Sequence, residues 1–146
     1  MKKRVGDPFM PPPEFGRSLT GMMINIMVRD MDKAMAFHRE VLGVDVVYSD
    51  PDISIVSWQG QQWMIHSDHT YDKHPLLPYI AGAERRGLGA EFRLHGRDPD
   101  AAAEAARKLG CEILDAPRDQ PDHGLRETHI IDFEGYVWVP DVPLGE

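Results

Sequence analysis

The chain has a single cysteine, Cys111, so no internal disulfide can form and nothing in the composition calls for an oxidising compartment. The expected location is the cytoplasm. Long apolar runs are missing too: no stretch approaches the ~18 residues that a membrane span takes. The basic start Met1-Lys2-Lys3-Arg4 is followed by Asp7-Pro8 and Pro11-Pro12-Pro13 rather than by an apolar segment, so neither a membrane anchor nor a secretory signal is expected. Positive charge is in short supply. Sixteen Lys and Arg against 24 Asp and Glu give a net charge of −8 with histidines neutral. That balance repels phosphate backbones and speaks against nucleic acid as a partner, while a cationic or neutral small ligand is compatible with it.

Several catalytic signatures are absent as well. There is no Gly-rich phosphate loop, no G-x-S-x-G elbow, no Cys-His nucleophile arrangement and no basic stripe interleaved with aromatics. Nucleotide-dependent and hydrolase readings lose their footing.

What the chain does have is a repeat. Asp30 and Asp98 each end a short apolar strand and open a helical pattern that runs into Leu-Gly, at Leu42-Gly43 and at Leu109-Gly110. In the first copy Ala34, Phe37 and Val41 make an apolar stripe, and Gly43 supplies a left-handed cap. In the second, Asp98 caps the helix, Pro99 takes the first helical position, and Ala102, Ala105, Ala106 and Leu109 form the stripe. Strand signals follow each helix: Val44–Tyr48, Ile53–Trp58 and Trp63–His66 in the first copy, and Cys111–Leu114, Glu127–Asp132 and Tyr136–Val139 in the second. The prediction is an α+β fold with residues 21–67 as one βαβββ module, 68–88 as a polar connection, and 89–142 as a second βαβββ module. Together 21–142 make one domain. Residues 1–20, rich in proline and glycine and without periodicity, read as an extended arm.

The closing run Gly124-Leu125-Arg126-Glu127-Thr128-His129-Ile130-Ile131-Asp132-Phe133-Glu134-Gly135-Tyr136-Val137-Trp138 resembles the end of the vicinal oxygen chelate superfamily pattern, a strand, Asp-Pro-Asp-Gly, and a strand carrying tryptophan. That superfamily includes glyoxalases, bleomycin-resistance proteins, fosfomycin-resistance transferases and extradiol dioxygenases. Phe133 stands for the usual proline and Glu134 for the second aspartate. The resemblance covers about residues 21–142 and implies two modules whose curved mixed sheets form a cup around a small molecule, commonly in a homodimer.

The resemblance also implies where a metal would be held, and those positions carry no suitable donor. Enzymes of the group place a His or Gln seven residues before the Asp that ends the first strand, a His on the first strand of module two, and a Glu seven residues after the Asp of the final turn. The sequence puts Met23, Gly89 and Val139 there. None offers an oxygen or nitrogen ligand from its side chain, so no metal and no other cofactor is expected at the usual place.

Side chains two apart on a strand share a face. If Met23 points into the cup, Asn25 does too; Glu91 and Arg93 follow in module two, and Glu127 and His129 on its third strand. Trp63 matches a lining position of the resembled family. The expectation is a binding site made by Asn25, Trp63, Glu91 and Arg93, with Glu127 orienting His129 as a catalytic pair should the protein be an enzyme. The preferred reading is a bleomycin-resistance-like protein that binds a small organic molecule, cationic or aromatic. The alternative is a lyase, isomerase or dioxygenase of the same superfamily working through His129 and Glu127 or through an unconventional metal site. His66, Asp68, His69 and His74 lie close enough in sequence to be weighed as metal ligands, against the plainer reading of a solvated polar loop. His38, His95 and His123 read as structural or solvated.

Overall fold

In the computed structural model, which describes residues 1–145, two four-stranded sheets have the same strand order, β1-β4-β3-β2 and β5-β8-β7-β6. In each, the first strand pairs in parallel with the last and the remaining pairs are antiparallel. This is the duplicated βαβββ frame that the sequence predicts. The two compact units cut across the modules, however. One comprises Met1–Asp32 and Val44–Leu77; the other takes Lys33–Gly43 with the chain from Pro78 onward.

Unit one contains a short helix α1 (Pro12–Ser18), then β1 (Asn25–Val28), β2 (Asp45–Ser49), β3 (Ile53–Trp58) and β4 (Gln61–Ser67). Between β3 and β4, Gln59 and Gly60 both take positive φ, 47° and 82°, as a tight two-residue hairpin requires. Its apolar interior includes Ile26, Met27, Val28, Ile55, Val56 and Ile65. The arm departs from the expectation of extended chain, because residues 12–18 are helical. Pro12 sits in the first turn, where its missing N–H costs no hydrogen bond, and Glu14 and Arg17 suit the two ends of the helix dipole. The surrounding prolines and glycines hide these two turns, too few to show a period.

The first helix of the repeat, α2 (Met31–Ala36), starts directly after Asp30 and widens into a π-helical segment, Phe37–Leu42, which closes on Gly43 at φ 68°. Phe37, His38, Val41 and Leu42 are all buried there. The His38 imidazole donates from Nδ1 to the Ala34 carbonyl at 2.8 Å, so a side chain competes with the backbone ladder where the widening begins.

Unit two packs this segment against α4 (Pro99–Leu109) and against the sheet β5 (Glu91–His95), β6 (Glu112–Gln120), β7 (Leu125–Ile131) and β8 (Val137–Pro143); a short helix, α3 (Leu77–Ile80), spans the boundary between the units. Asp98 accepts from the Asp100 and Ala101 N–H groups, and Gly110 closes the helix at φ 80°. The buried stripe of α4 is Ala102, Ala103 and Ala106, with Ala105 and Leu109 only half-buried. Trp138 anchors the core, its ring 5.1 Å from that of His38, 4.9 Å from Phe92 and 6.3 Å from Phe37. The β7–β8 turn is organised by Asp132. Its Oδ1 accepts from the N–H groups of Glu134, Gly135 and Tyr136, and its Oδ2 accepts from the Trp138 indole at 2.9 Å. Among the described residues no helix is long and apolar enough to cross a membrane.

Candidate functional site

Alternation along β5, β7 and β8 sends Phe92, Leu94, Ile130 and Trp138 to one face of the second sheet and Glu91, Arg93, Glu127, His129, Val139 and Asp141 to the other. That second face is where four of the six residues expected at the site meet. Arg93 is its centre. Nη1 donates to Glu91 Oε2 at 3.1 Å, Nη2 donates to Glu127 Oε2, and Nε lies 3.4 Å from Asp141 Oδ2. His129 Nε2 is 3.0 Å from Glu91 Oε1. Asp141, which sequence reasoning passed over, also takes His95 Nδ1 at 2.8 Å, and His123 Nδ1 stands 3.8 Å from Glu127 Oε1. The only hint of these additions in the sequence is their parity with Glu127 and Arg93.

The expected pairing of Glu127 with His129 is not formed. Side chains two apart on one strand stand nearly parallel, ~7 Å apart, and Glu127 is turned toward the Arg93 guanidinium. Glu91 takes the place expected of Glu127 as the carboxylate against His129.

The electrostatics of this face are lopsided. Three carboxylates surround one guanidinium, so with the imidazoles counted as neutral two negative charges are uncompensated. Glu127 and Asp141 are 2% and 1% exposed. Burial works to raise the Glu91 carboxyl, but hydrogen bonds from His129 and Arg93 outweigh it and hold Glu91 below the usual range. Burial likewise works against the Arg93 charge, and the carboxylates more than reverse it. Two polar atoms on this face, His129 Nδ1 and Asp141 Oδ2, are buried without a hydrogen-bond partner.

Asn25 and Trp63 belong to unit one. Asn25 is exposed rather than buried, so no desolvation penalty forces a ligand onto it; its Oδ1 accepts from His66 Nδ1 at 2.6 Å and its Nδ2 donates to the Tyr71 hydroxyl at 3.5 Å. Burial, with the Arg4 charge adding to it, lowers the His66 imidazole to about 4, so it is neutral at pH 7. Trp63 is 8% exposed and lines a cleft of about 620 Å³ with Met23 and Gln62. The histidines of residues 66–74 serve separate partners: His69 bonds Asp52 at 2.7 Å, while the rings of His66 and His74 flank Tyr71.

The fit to a metal of the resembled family fails at two of its three positions. Val139 is fully buried in a cluster with Ile131 and Val137, and Met23 offers only a thioether. The third position needs correction. Gly89 lies ahead of β5 at φ 103°, and the seven-residue offset that separates Met23 from Asp30 reaches Glu91 when counted back from Asp98. Glu91 carries carboxylate oxygens, but both are engaged, by His129 and by Arg93. Among the described residues no three His, Cys, Asp or Glu side chains gather so as to hold a metal ion.

A family model described as the Glyoxalase/Bleomycin resistance protein/Dioxygenase superfamily matches residues 22–139. No curated protein sequence matches the chain. Among solved structures, a glyoxalase-related enzyme from Fulvimarina pelagi is similar over 85% of this chain and 88% of its own, at 18% identity and TM-score 0.65. The fosfomycin resistance protein FosX from Listeria monocytogenes is similar over 85% and 93%, at 16% identity and TM-score 0.62. TioX from Micromonospora sp. ML1 is similar over 86% and 99%, at 18% identity and TM-score 0.60. At these identities the likeness is one of fold.

Proposed function

The chain belongs to the glyoxalase/bleomycin resistance protein/dioxygenase superfamily, and from that premise we propose that it binds a small organic molecule bearing a cationic or donor-rich group on the polar face of its second sheet. The observation that carries this is the excess of two negative charges around Arg93, held by carboxylates of which two are buried. A buried carboxylate is costly unless a positive or donor group meets it. Glu91, Glu127 and Asp141 would take the ligand's positive or donor groups, and His129 would set its orientation through the unpartnered ring nitrogen. A thermal-shift screen across small amines, antibiotics and aromatic acids identifies the ligand, since a molecule that favours the native state raises its stability. Calorimetric titration then tests the charge argument. Affinity for a cationic ligand should fall as ionic strength rises, because screening weakens the Coulomb attraction; affinity independent of salt, or a preference for anions at this face, refutes the reading.

One observation favours a second reading, an acid–base enzyme. Glu91 can only accept in its ionised form, so His129 donates to it from Nε2, and in the neutral imidazole Nδ1 then carries the lone pair that would take a substrate proton. An isomerase or lyase would use that arrangement, with Glu91 behind the base. Turnover lost in His129→Asn with affinity retained supports the enzyme; affinity lost with no turnover in the wild type supports the binder.

A further inference from the structure

The family match begins at residue 22, so residues 1–21 lie outside it. They lie over the face of the first sheet that carries Ile53, Ile55, Met64 and His66, and between arm and sheet is a cavity of about 390 Å³. The arm is pinned rather than draped. The Lys3 and Arg4 N–H groups donate to the carboxylate of Asp52 at 2.8 to 2.9 Å, and that carboxylate is fully buried and also takes His69 Nε2. Phe9 seats its ring 5.1 Å from Tyr48 and 5.6 Å from Phe15 of α1. More than half of the residues lining the cavity therefore lie outside the family match.

The wall has a marked chemical division. Its body is aromatic and aliphatic, its volume falls in the ~300–1,000 Å³ range of small-molecule pockets, and among the described residues its only charged ones are Lys2 and Arg4. Arg4 is the informative one. Its side chain is 10% exposed, it stands 3.9 Å from Asp50 and 3.6 Å from Asp52, both beyond hydrogen-bond distance, and its Nε is buried without an acceptor. A guanidinium is a planar fork suited to a carboxylate, and a buried donor left unmade costs roughly 1–3 kcal/mol.

We propose that this roofed cavity is a second binding site, for a small carboxylic acid with an aromatic or branched apolar body, its carboxylate met by Arg4 and Lys2 and its body held between Phe9, Phe15 and Ile55. The site is separate from the acidic face of unit two and selects the opposite charge.

Calorimetric titration of the full chain with phenylacetate tests it, with 2-phenylethylamine as the same body carrying the opposite charge. Phenylacetate should bind the wild type, and Arg4→Gln should weaken it by about tenfold or more, the scale of one lost charged hydrogen bond. Because Arg4→Gln also touches the arm's anchorage, Gly16→Leu is the companion variant. Gly16 lines the cavity from α1, and a Cβ there meets open space. Leucine at that helical position should keep or raise the melting temperature while filling the cavity and weakening phenylacetate by about tenfold or more. No binding of phenylacetate or of octanoate to the wild type overturns the proposal, as does an affinity for phenylacetate that neither variant changes.

Discussion

His129 turns Nε2 to Glu91 at 3.0 Å and keeps its other ring nitrogen buried without a partner, so one imidazole is at once anchored and available. Glu91→Gln should therefore act through His129. The amide can present its NH2 to Nε2 and release the tautomer that the carboxylate enforces. Affinity for the ligand found by screening should drop by about tenfold in His129→Ala and by less in Glu91→Gln. Equal affinities in wild type and His129→Ala, by calorimetry, remove His129 from the site.

Arg93 serves three carboxylates, two of them buried. Arg93→Met keeps much of the side-chain volume and leaves Glu127 and Asp141 without their counter-charge. Denaturant unfolding at neutral pH should show a loss on the order of 3 kcal/mol, the scale of breaking a buried ion pair from one side. The double variant Arg93→Met/Glu127→Leu should recover part of that loss; a single variant as stable as wild type shows that the cluster contributes little to folding.

His38 is fully buried against Trp138, and burial lowers its imidazole from 6.5 to about 4 despite the raising effect of its bond to Ala34. The unfolded chain thus binds a proton at His38 below pH 6.5 that the folded chain refuses until about pH 4. Stability falls as pH drops through that window, at up to about 1.4 kcal/mol per pH unit for this one group. His66, lowered to a similar value, contributes with the same sign. Urea unfolding of His38→Met from pH 7 to pH 4.5 should show a shallower decline than wild type; parallel declines exclude His38 as a source of acid sensitivity.

Gly135 and Gly110 both take positive φ, 100° and 80°, with different surroundings. A Cβ on Gly135 would lie 2.5 Å from the Arg85 Cα, whereas one on Gly110 meets open space. Gly110→Ala should cost about 1 kcal/mol from backbone strain alone. Gly135→Ala should cost about 3 kcal/mol or more, strain and backbone clash together. Equal melting temperatures for the two variants contradict the packing described for the Asp132 turn.

The features legible from residues alone are those set by short-range chemistry. Asp98 with Pro99, Gly43 and Gly110 end or begin helices through hydrogen bonds and φ values that a few neighbours decide, and the strands between them show in apolar runs. The repeated spacing from Asp30 and from Asp98 then implies the doubled frame. Gly89 falls ahead of β5 rather than in register with Met23 because strand starts are weakly encoded, and the helix at Pro12–Ser18 is too short to show a period.

Which side chains share hydrogen bonds is a different matter. Glu127 and His129 are neighbours in sequence and on one face, yet Arg93, brought across β8 from β5, draws Glu127 to itself and leaves Glu91 to His129. The roofed cavity of unit one depends likewise on Asp52 reaching residues 3 and 4, some fifty positions away. Sequence by itself determined the repeated helices and strands, the duplication and the parity of each face, because these follow from local sterics and period. Tertiary structure alone decided the partners, because a charged side chain pairs with the nearest opposite charge in space, and that distance has no counterpart along the chain.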